Sequence, residues 1–93
     1  MTDILTELQT VLQERKANPT AVSYTAQLFA AGEDEIVKKI GEEAIEVILA
    51  AKGQGDQRVI EETADLIYHT LALLVSRDLT WADVTAELAK RRK

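Results

Sequence analysis

Three carboxylates crowd into one apolar stretch. Glu42, Glu43 and Glu46 lie within "KKIGEEAIEVILAAKG", Lys38 to Gly53, whose remaining middle residues are Ile, Val, Leu and Ala. A second acidic set follows in "RVIEETADLIYHTLALL", where Glu62, Asp65 and His69 are spaced by three and four. In a helix these intervals put side chains on one face. Glu42, Glu43 and Glu46 then span an arc of roughly 100°, and Lys39 falls inside it. Ile36, Val47, Ile40, Ala44, Val37 and Ile48 flank that stripe on one side, with Ile45 and Leu49 on the other. A water-facing helix has one broad polar face. A stripe with apolar residues on both edges is expected to be enclosed, with its acids aimed at another helix. Glu62 and Asp65 are the natural counterpart, with Glu61 and Arg58 near the same strip.

Carboxylates that face one another call for a cation. Two of them ~4 Å apart repel by ~1 kcal/mol in water and by ~4 kcal/mol at an effective dielectric of 20. Lys39 alone does not neutralise four or five such groups. Mg²⁺ or Mn²⁺ does, because carboxylate oxygen is the donor these hard ions take. Zinc is disfavoured, since the chain has no cysteine and one histidine. A dimetal oxidase would need Glu-x-x-His pairs, and a P-loop would need its glycine-rich run; neither is present. The competing reading is that these acids form ordinary solvated faces. It is weaker for Glu42 to Glu46, with two apolar flanks, than for the narrow strip of the second helix.

Helices must hold these residues. Apolar spacing predicts a helix from Asp3 to about Lys16, ended by Pro19 in "NPT". Ser23 can cap a short helix, "YTAQLFAA", that Gly32 ends. Long helices are expected from about Asp34 to Lys52 and from Gln57 to Ser76, separated by a turn at "GQGD", Gly53 to Asp56. Thr80 with Asp83 resembles a capping box for a last helix, Trp81 to Arg92. In the second long helix, Ile60, Ala64, Leu66, Ile67, Leu71, Leu74 and Val75 form a wide apolar arc. Short connections make neighbouring long helices antiparallel. The expected fold is an all-α antiparallel bundle forming a single domain over residues 1–93.

Composition agrees. Hydrophobic residues make up 46% of the 93 residues but aromatics only 4%, a core suited to packed helices. The net charge of −5 argues against coating nucleic acid. No run of ~18 apolar residues suggests a membrane span, and the polar start "MTDILTELQ" is unlike a signal peptide. A cytoplasmic location is the expectation.

The acid pattern also has a family behind it. Glu42-Glu43-x-x-Glu46, then Glu62-x-x-Asp65 after 15 intervening residues, resembles the signature of the all-α, MazG-like nucleoside-triphosphate pyrophosphatase superfamily. "SYTAQLFAAG", "KKIGEEAIEVILAAK" and "EETADLIYHTLALL" are similar to the phosphoribosyl-ATP pyrophosphatases of histidine biosynthesis, from about Ser23 to Val75. The resemblance implies hydrolysis of phosphoribosyl-ATP to phosphoribosyl-AMP and pyrophosphate. It implies Glu43, Glu46, Glu62 and Asp65 as Mg²⁺ ligands, and Glu42 as a catalytic residue that supports the metal or positions the attacking water. Lys39 and Lys52 are candidates for the triphosphate, Lys39 first because it shares the acid arc; Lys38 reads as a solubilising lysine. Ser23 and Tyr24 either contact the nucleotide or cap and staple the short helix. His69 is placed with the substrate-binding residues, one turn from Asp65. A homodimer or larger assembly is expected, because the apolar arcs are too wide for one small bundle. A house-cleaning pyrophosphatase for another nucleotide and a non-enzymatic helical adaptor are the alternatives.

Overall fold

The computed structural model describes residues 3–20 and 22–92. Met1, Thr2, Ala21 and Lys93 lie outside the described residues, and with them the ends of the 1–93 domain and the first residues of the polar N-terminus. Five helices follow one another: α1 (Ile4–Ala17), α2 (Tyr24–Ala31), α3 (Glu33–Gly53), α4 (Asp56–Ser76) and α5 (Trp81–Arg91). No strand occurs among the described residues.

The helix boundaries have local causes. Ser23 caps α2, its Oγ accepting from the Ala26 N–H at 3.1 Å. Gly32 ends α2 and opens α3 at once: its N–H donates to the Phe29 carbonyl, its carbonyl accepts from the Ile36 N–H, and its φ of 100° favours glycine. The long helix therefore begins at Glu33, slightly ahead of the expected start. The turn between α3 and α4 is also tighter than the "GQGD" expectation. Gly53 remains helical and Asp56 already is, so Gln54 and Gly55 alone make the reversal, with Gly55 at φ 91°. The capping box at α5 is present: the Asp83 N–H donates to Thr80 Oγ1 at 3.2 Å, and the Thr80 N–H donates to Asp83 Oδ2 at 2.9 Å.

α3 and α4 form the antiparallel hairpin on which the rest is built, and the core sits at one end of it. Leu12 of α1, Leu28 of α2, Ile36 near the start of α3, and Leu71, Ala72 and Val75 late in α4 make a buried cluster. Each large side chain buried there contributes about 1.5–3 kcal/mol. Polar ties close the same end. Lys16 Nζ donates to the Val75 carbonyl at 3.1 Å and pairs with Asp78 at 2.9 Å, and Arg77 pairs with Glu33 at 2.7 Å.

The face of α3 opposite Ile36 is bare along its length, although Ala50 close to the turn is buried. Ile45, Ile48, Leu49 and Ile60 are about half or more exposed, as is Val37. This corrects the expectation that both flanks of the acid stripe are enclosed within one chain. Only the flank carrying Ile36, Ile40, Ala44 and Val47 packs inward. Likewise, Leu71 and Val75 of the α4 arc are core, whereas Ile60 and Ala64 face outward. The physical reason is that α4 and α2 pack against the side of α3 that carries Ile36 and Ala50, leaving nothing in the chain to cover the opposite face.

Candidate active site

The acid stripe of α3 does face α4. Glu43, Glu62 and Asp65 each present a carboxylate oxygen within 4.8 Å of the others. The antiparallel hairpin makes this meeting possible, since Glu62 and Asp65 lie on one α4 face opposite Glu43. Glu62 is buried, Glu43 half-buried and Asp65 exposed, so the cluster runs from the helix interface out to solvent. Burial raises the Glu43 carboxyl above its ordinary range, and the charges of Asp65, Glu62 and Glu46 push it further; His69 opposes the shift.

The other two acids of α3 flank Glu43. Glu46 acts on both Glu43 and Arg58, which places it toward the Arg58 side of the cluster, outside the closest group of three. Glu42 is exposed, and its charge is felt at Tyr24, on the α2 side. Arg58 is a feature that the motif did not assign. Its guanidinium bonds Glu61 at 2.5 Å and also grips Glu62, one turn later. The signal was the i, i+4 spacing of Arg58 and Glu62.

The two lysines part company. Lys39 lines a cleft of about 210 Å³ with Tyr24, Gln27, Leu28, Ala31 and Glu35, between α2 and α3. Lys52 is exposed in the last turn of α3, about 13 Å along the axis from Glu43 at 1.5 Å per residue. On the helix wheel it falls among Ile45 and Ile48, roughly 180° from Glu43 and about 130° from the middle of the acid stripe.

Ser23, Tyr24 and His69 are engaged with the protein itself. Ser23 Oγ is committed to the α2 cap. The Tyr24 hydroxyl lies 2.8 Å from His69 Nε2, and His69 Nδ1 lies 2.8 Å from the Asp65 carbonyl oxygen. Next to them, Tyr68 OH and Thr25 Oγ1 form a second bond between α4 and α2. Tyr68 and Thr25 belong to "DLIYH" and "SYT", but nothing in their spacing announces the pairing across 43 residues. Burial raises the Tyr24 phenol, assisted by Tyr68 and by Glu43, Glu35 and Glu42.

The donor set fits a hard divalent cation. It is all carboxylate oxygen, with no sulfur in reach. The 4.8 Å spread is close to the span of about 4 Å between oxygens on opposite sides of one such ion. At that spread, each like-charged pair repels by about 1 kcal/mol in water and about 3 kcal/mol at an effective dielectric of 20.

Comparison with known proteins adds an independent line. Residues 5–92 match the family model described as phosphoribosyl-ATP pyrophosphohydrolase. The chain is 50% identical to the phosphoribosyl-ATP pyrophosphatase of Pelotomaculum thermopropionicum, over 98% of this chain and 93% of that one. It is 45% identical to the protein of the same name from Pyrobaculum neutrophilum, over 98% of this chain and 97% of that one. It is also 50% identical to a histidine biosynthesis bifunctional protein HisIE of Gloeobacter violaceus, where the match takes in 98% of this chain and 41% of the longer protein.

Proposed function

The chain belongs to the phosphoribosyl-ATP pyrophosphohydrolase family, and from that premise we propose how its acid cluster does the family's chemistry. The activity is that of a phosphoribosyl-ATP diphosphatase, a hydrolase that splits a phosphoric anhydride in histidine biosynthesis. Water attacks the α-phosphorus of phosphoribosyl-ATP, the bond to the bridging oxygen breaks, and phosphoribosyl-AMP and pyrophosphate leave.

Glu43, Glu46, Glu62 and Asp65 hold Mg²⁺ in this reading, with Mn²⁺ as the other ion the oxygen donors accept. When bound, the ion neutralises charge that builds on the phosphoryl oxygens and makes bound water more acidic. Glu43, Glu62 and Asp65 form the part of the site that converges already, and Glu46, one turn along α3 from Glu43, is its fourth carboxylate. Glu42, on the rim facing Tyr24, orients the attacking water and takes up its proton. Lys39 offers its ammonium to the phosphate chain from the cleft beside α2. Lys52 serves that role only from a second chain, because its own cluster lies too far along α3. The observation that carries this reading is the convergence of Glu43, Glu62 and Asp65 within 4.8 Å from two helices.

A second copy of the chain completes the molecule. Val37, Ile45, Ile48 and Leu49 form one continuous exposed arc of roughly 120° on α3, continued by Ile60 on α4. The accessible surface, 6465 Å², exceeds the roughly 5,400 Å² expected of a monomer of 10.3 kDa. The radius of gyration, 14.3 Å, likewise exceeds about 12 Å for a compact chain of this length. A homo-oligomer that pairs the hairpins buries part of that excess surface and gives the extended chain a partner to pack against.

Steady-state rates with phosphoribosyl-ATP and with a panel of nucleoside triphosphates test the substrate assignment. The reading requires a kcat/KM for phosphoribosyl-ATP far above that for dUTP, dCTP or ATP; a preference for one of those would overturn it.

A further inference from the structure

His69 is the one histidine of the chain, it is only 7% exposed, and neither its position nor its bonds suit a ligand to metal or nucleotide. Both ring nitrogens are already used. The Asp65 carbonyl, 2.8 Å from Nδ1, can only accept, so Nδ1 carries the hydrogen. In the neutral ring Nε2 then has a lone pair, and it accepts from the Tyr24 hydroxyl at 2.8 Å. The ring is held edge-on between Tyr68, at 5.3 Å between centroids, and Tyr24, at 6.0 Å. Thr25 and Tyr68 bond alongside. Two consecutive residues of α2 are thus tied to two consecutive residues of α4, one turn beyond Asp65.

We infer that His69 is a positioning residue: it joins the Asp65 backbone to Tyr24, and so fixes the carboxylate-bearing turn of α4 against the α2 wall of the Lys39 cleft. Tyr24 lines that cleft together with Lys39 and Glu35. The acid cluster, between α3 and α4, and the cleft, between α2 and α3, share α3 and differ in their other wall. The Tyr24–His69–Asp65 chain of hydrogen bonds, beside the Thr25–Tyr68 bond, ties those other walls, α4 and α2, to each other. His69 acts through Asp65 and Tyr24 and makes no contact with substrate of its own. This inference rests on the assignment of Asp65 as a metal ligand; partners bonded directly to a ligating group change metal affinity by about 10–100-fold when removed, and His69, which bonds the Asp65 backbone, belongs at the lower end of that range.

The test has two independent arms. Because the chain has one histidine, ¹⁵N spectra of its imidazole in metal-free protein, above the ordinary histidine titration range, read its tautomer without assignment. The Nδ1–H form is expected, the reverse of what free histidine prefers. Tyr24→Phe should move the Nε2 resonance by removing an accepted hydrogen bond while Nδ1 stays protonated. An Nε2–H tautomer in the wild type would overturn the inference. The second arm is Mg²⁺ affinity by calorimetry. Tyr24→Phe and His69→Ala should each weaken it about tenfold, the double variant should be no weaker than His69→Ala, and His69→Gln, whose amide can still accept from Tyr24, should recover part of the loss. Unchanged Mg²⁺ affinity in folded Tyr24→Phe and His69→Ala would overturn the positioning role. Failure of the wild type to bind Mg²⁺ would instead overturn the metal assignment, and the tautomer arm would still decide the hydrogen-bond chain.

Discussion

Arg58 reaches one turn along α4 to grip Glu62, so the most buried carboxylate of the acid cluster already has a cation on one side. The pair spans a gradient of exposure: the Arg58 side chain is 47% exposed and that of Glu62 7%. Removing Arg58 leaves a buried carboxylate without its partner, which is the costly way to break an ion pair. Arg58→Gln should therefore lower the melting temperature of the metal-free protein by roughly a few degrees. Saturating Mg²⁺ should close much of that gap by supplying the missing charge. Thermal melts in EDTA and in Mg²⁺ check this; a deficit that Mg²⁺ leaves untouched would separate Arg58 from the metal site.

Glu43 should show the opposite behaviour. Its carboxyl is raised above 4.5 by burial and by neighbouring acids. A group whose folded value is raised adds stability that is full below the unfolded value and is lost as pH rises through the folded value. Metal-free wild type should thus lose stability as pH climbs above about 4.5, and Glu43→Gln should not suffer that component. Above that range the variant should melt higher than the wild type in EDTA. In Mg²⁺ the order should reverse, because the wild type gains a ligand and the variant does not. The Mg²⁺ stabilisation of the wild type should also grow with pH over the same window, since protons and metal compete for Glu43. Melting curves across pH, with and without Mg²⁺, measure all three signs.

The exposed apolar arc gives a separate prediction. Ile48 is 60% exposed and lies far from the core cluster, so Ile48→Glu should leave the helices formed. Buried against a second hairpin, the same glutamate would be an unpaired charge. The variant should sediment as a monomer at concentrations where the wild type is a homo-oligomer, with unchanged far-UV dichroism. A wild type that sediments as a monomer at every concentration would contradict the assembly.

Fold and site differ in how far the sequence discloses them. The five helices follow from local signals: Ser23 and the Thr80–Asp83 pair are caps, and Gly32 and Gly55 are the positive-φ glycines at which one helix gives way to the next. The meeting of Glu43 with Glu62 and Asp65 also follows from spacing, because one short turn forces α3 and α4 antiparallel. What spacing does not disclose is which apolar residues a single chain can cover. Ile45 and Ile36 look equally hydrophobic, yet Ile36 is buried and Ile45 is 58% exposed, because they lie on opposite faces of α3 and the chain covers only one of them. Nor does it disclose that Tyr24 and His69 spend their polar atoms on each other, a contact across 45 residues.

Core truncation gives a control distinct from the site. Leu71 is fully buried against Leu12, Leu28 and Ile36. Leu71→Ala should cost about 2–5 kcal/mol in denaturant unfolding, while the Mg²⁺-induced increment in stability persists in the folded fraction. A cost well under that range would mean the site collapses around the smaller side chain.

The central claim is that the carboxylates converging from α3 and α4 hold the metal that phosphoribosyl-ATP hydrolysis needs. The most direct measurement is pyrophosphate release from phosphoribosyl-ATP as Mg²⁺ is titrated, in wild type and in Asp65→Asn, a change that keeps shape and removes charge. Release should be absent in EDTA, the wild type should be activated saturably by Mg²⁺, and Asp65→Asn should be at least roughly a hundredfold slower at saturating Mg²⁺, on the order of 3 kcal/mol in transition-state stabilisation. Metal-independent release, or wild-type rates and Mg²⁺ dependence in Asp65→Asn, would contradict it.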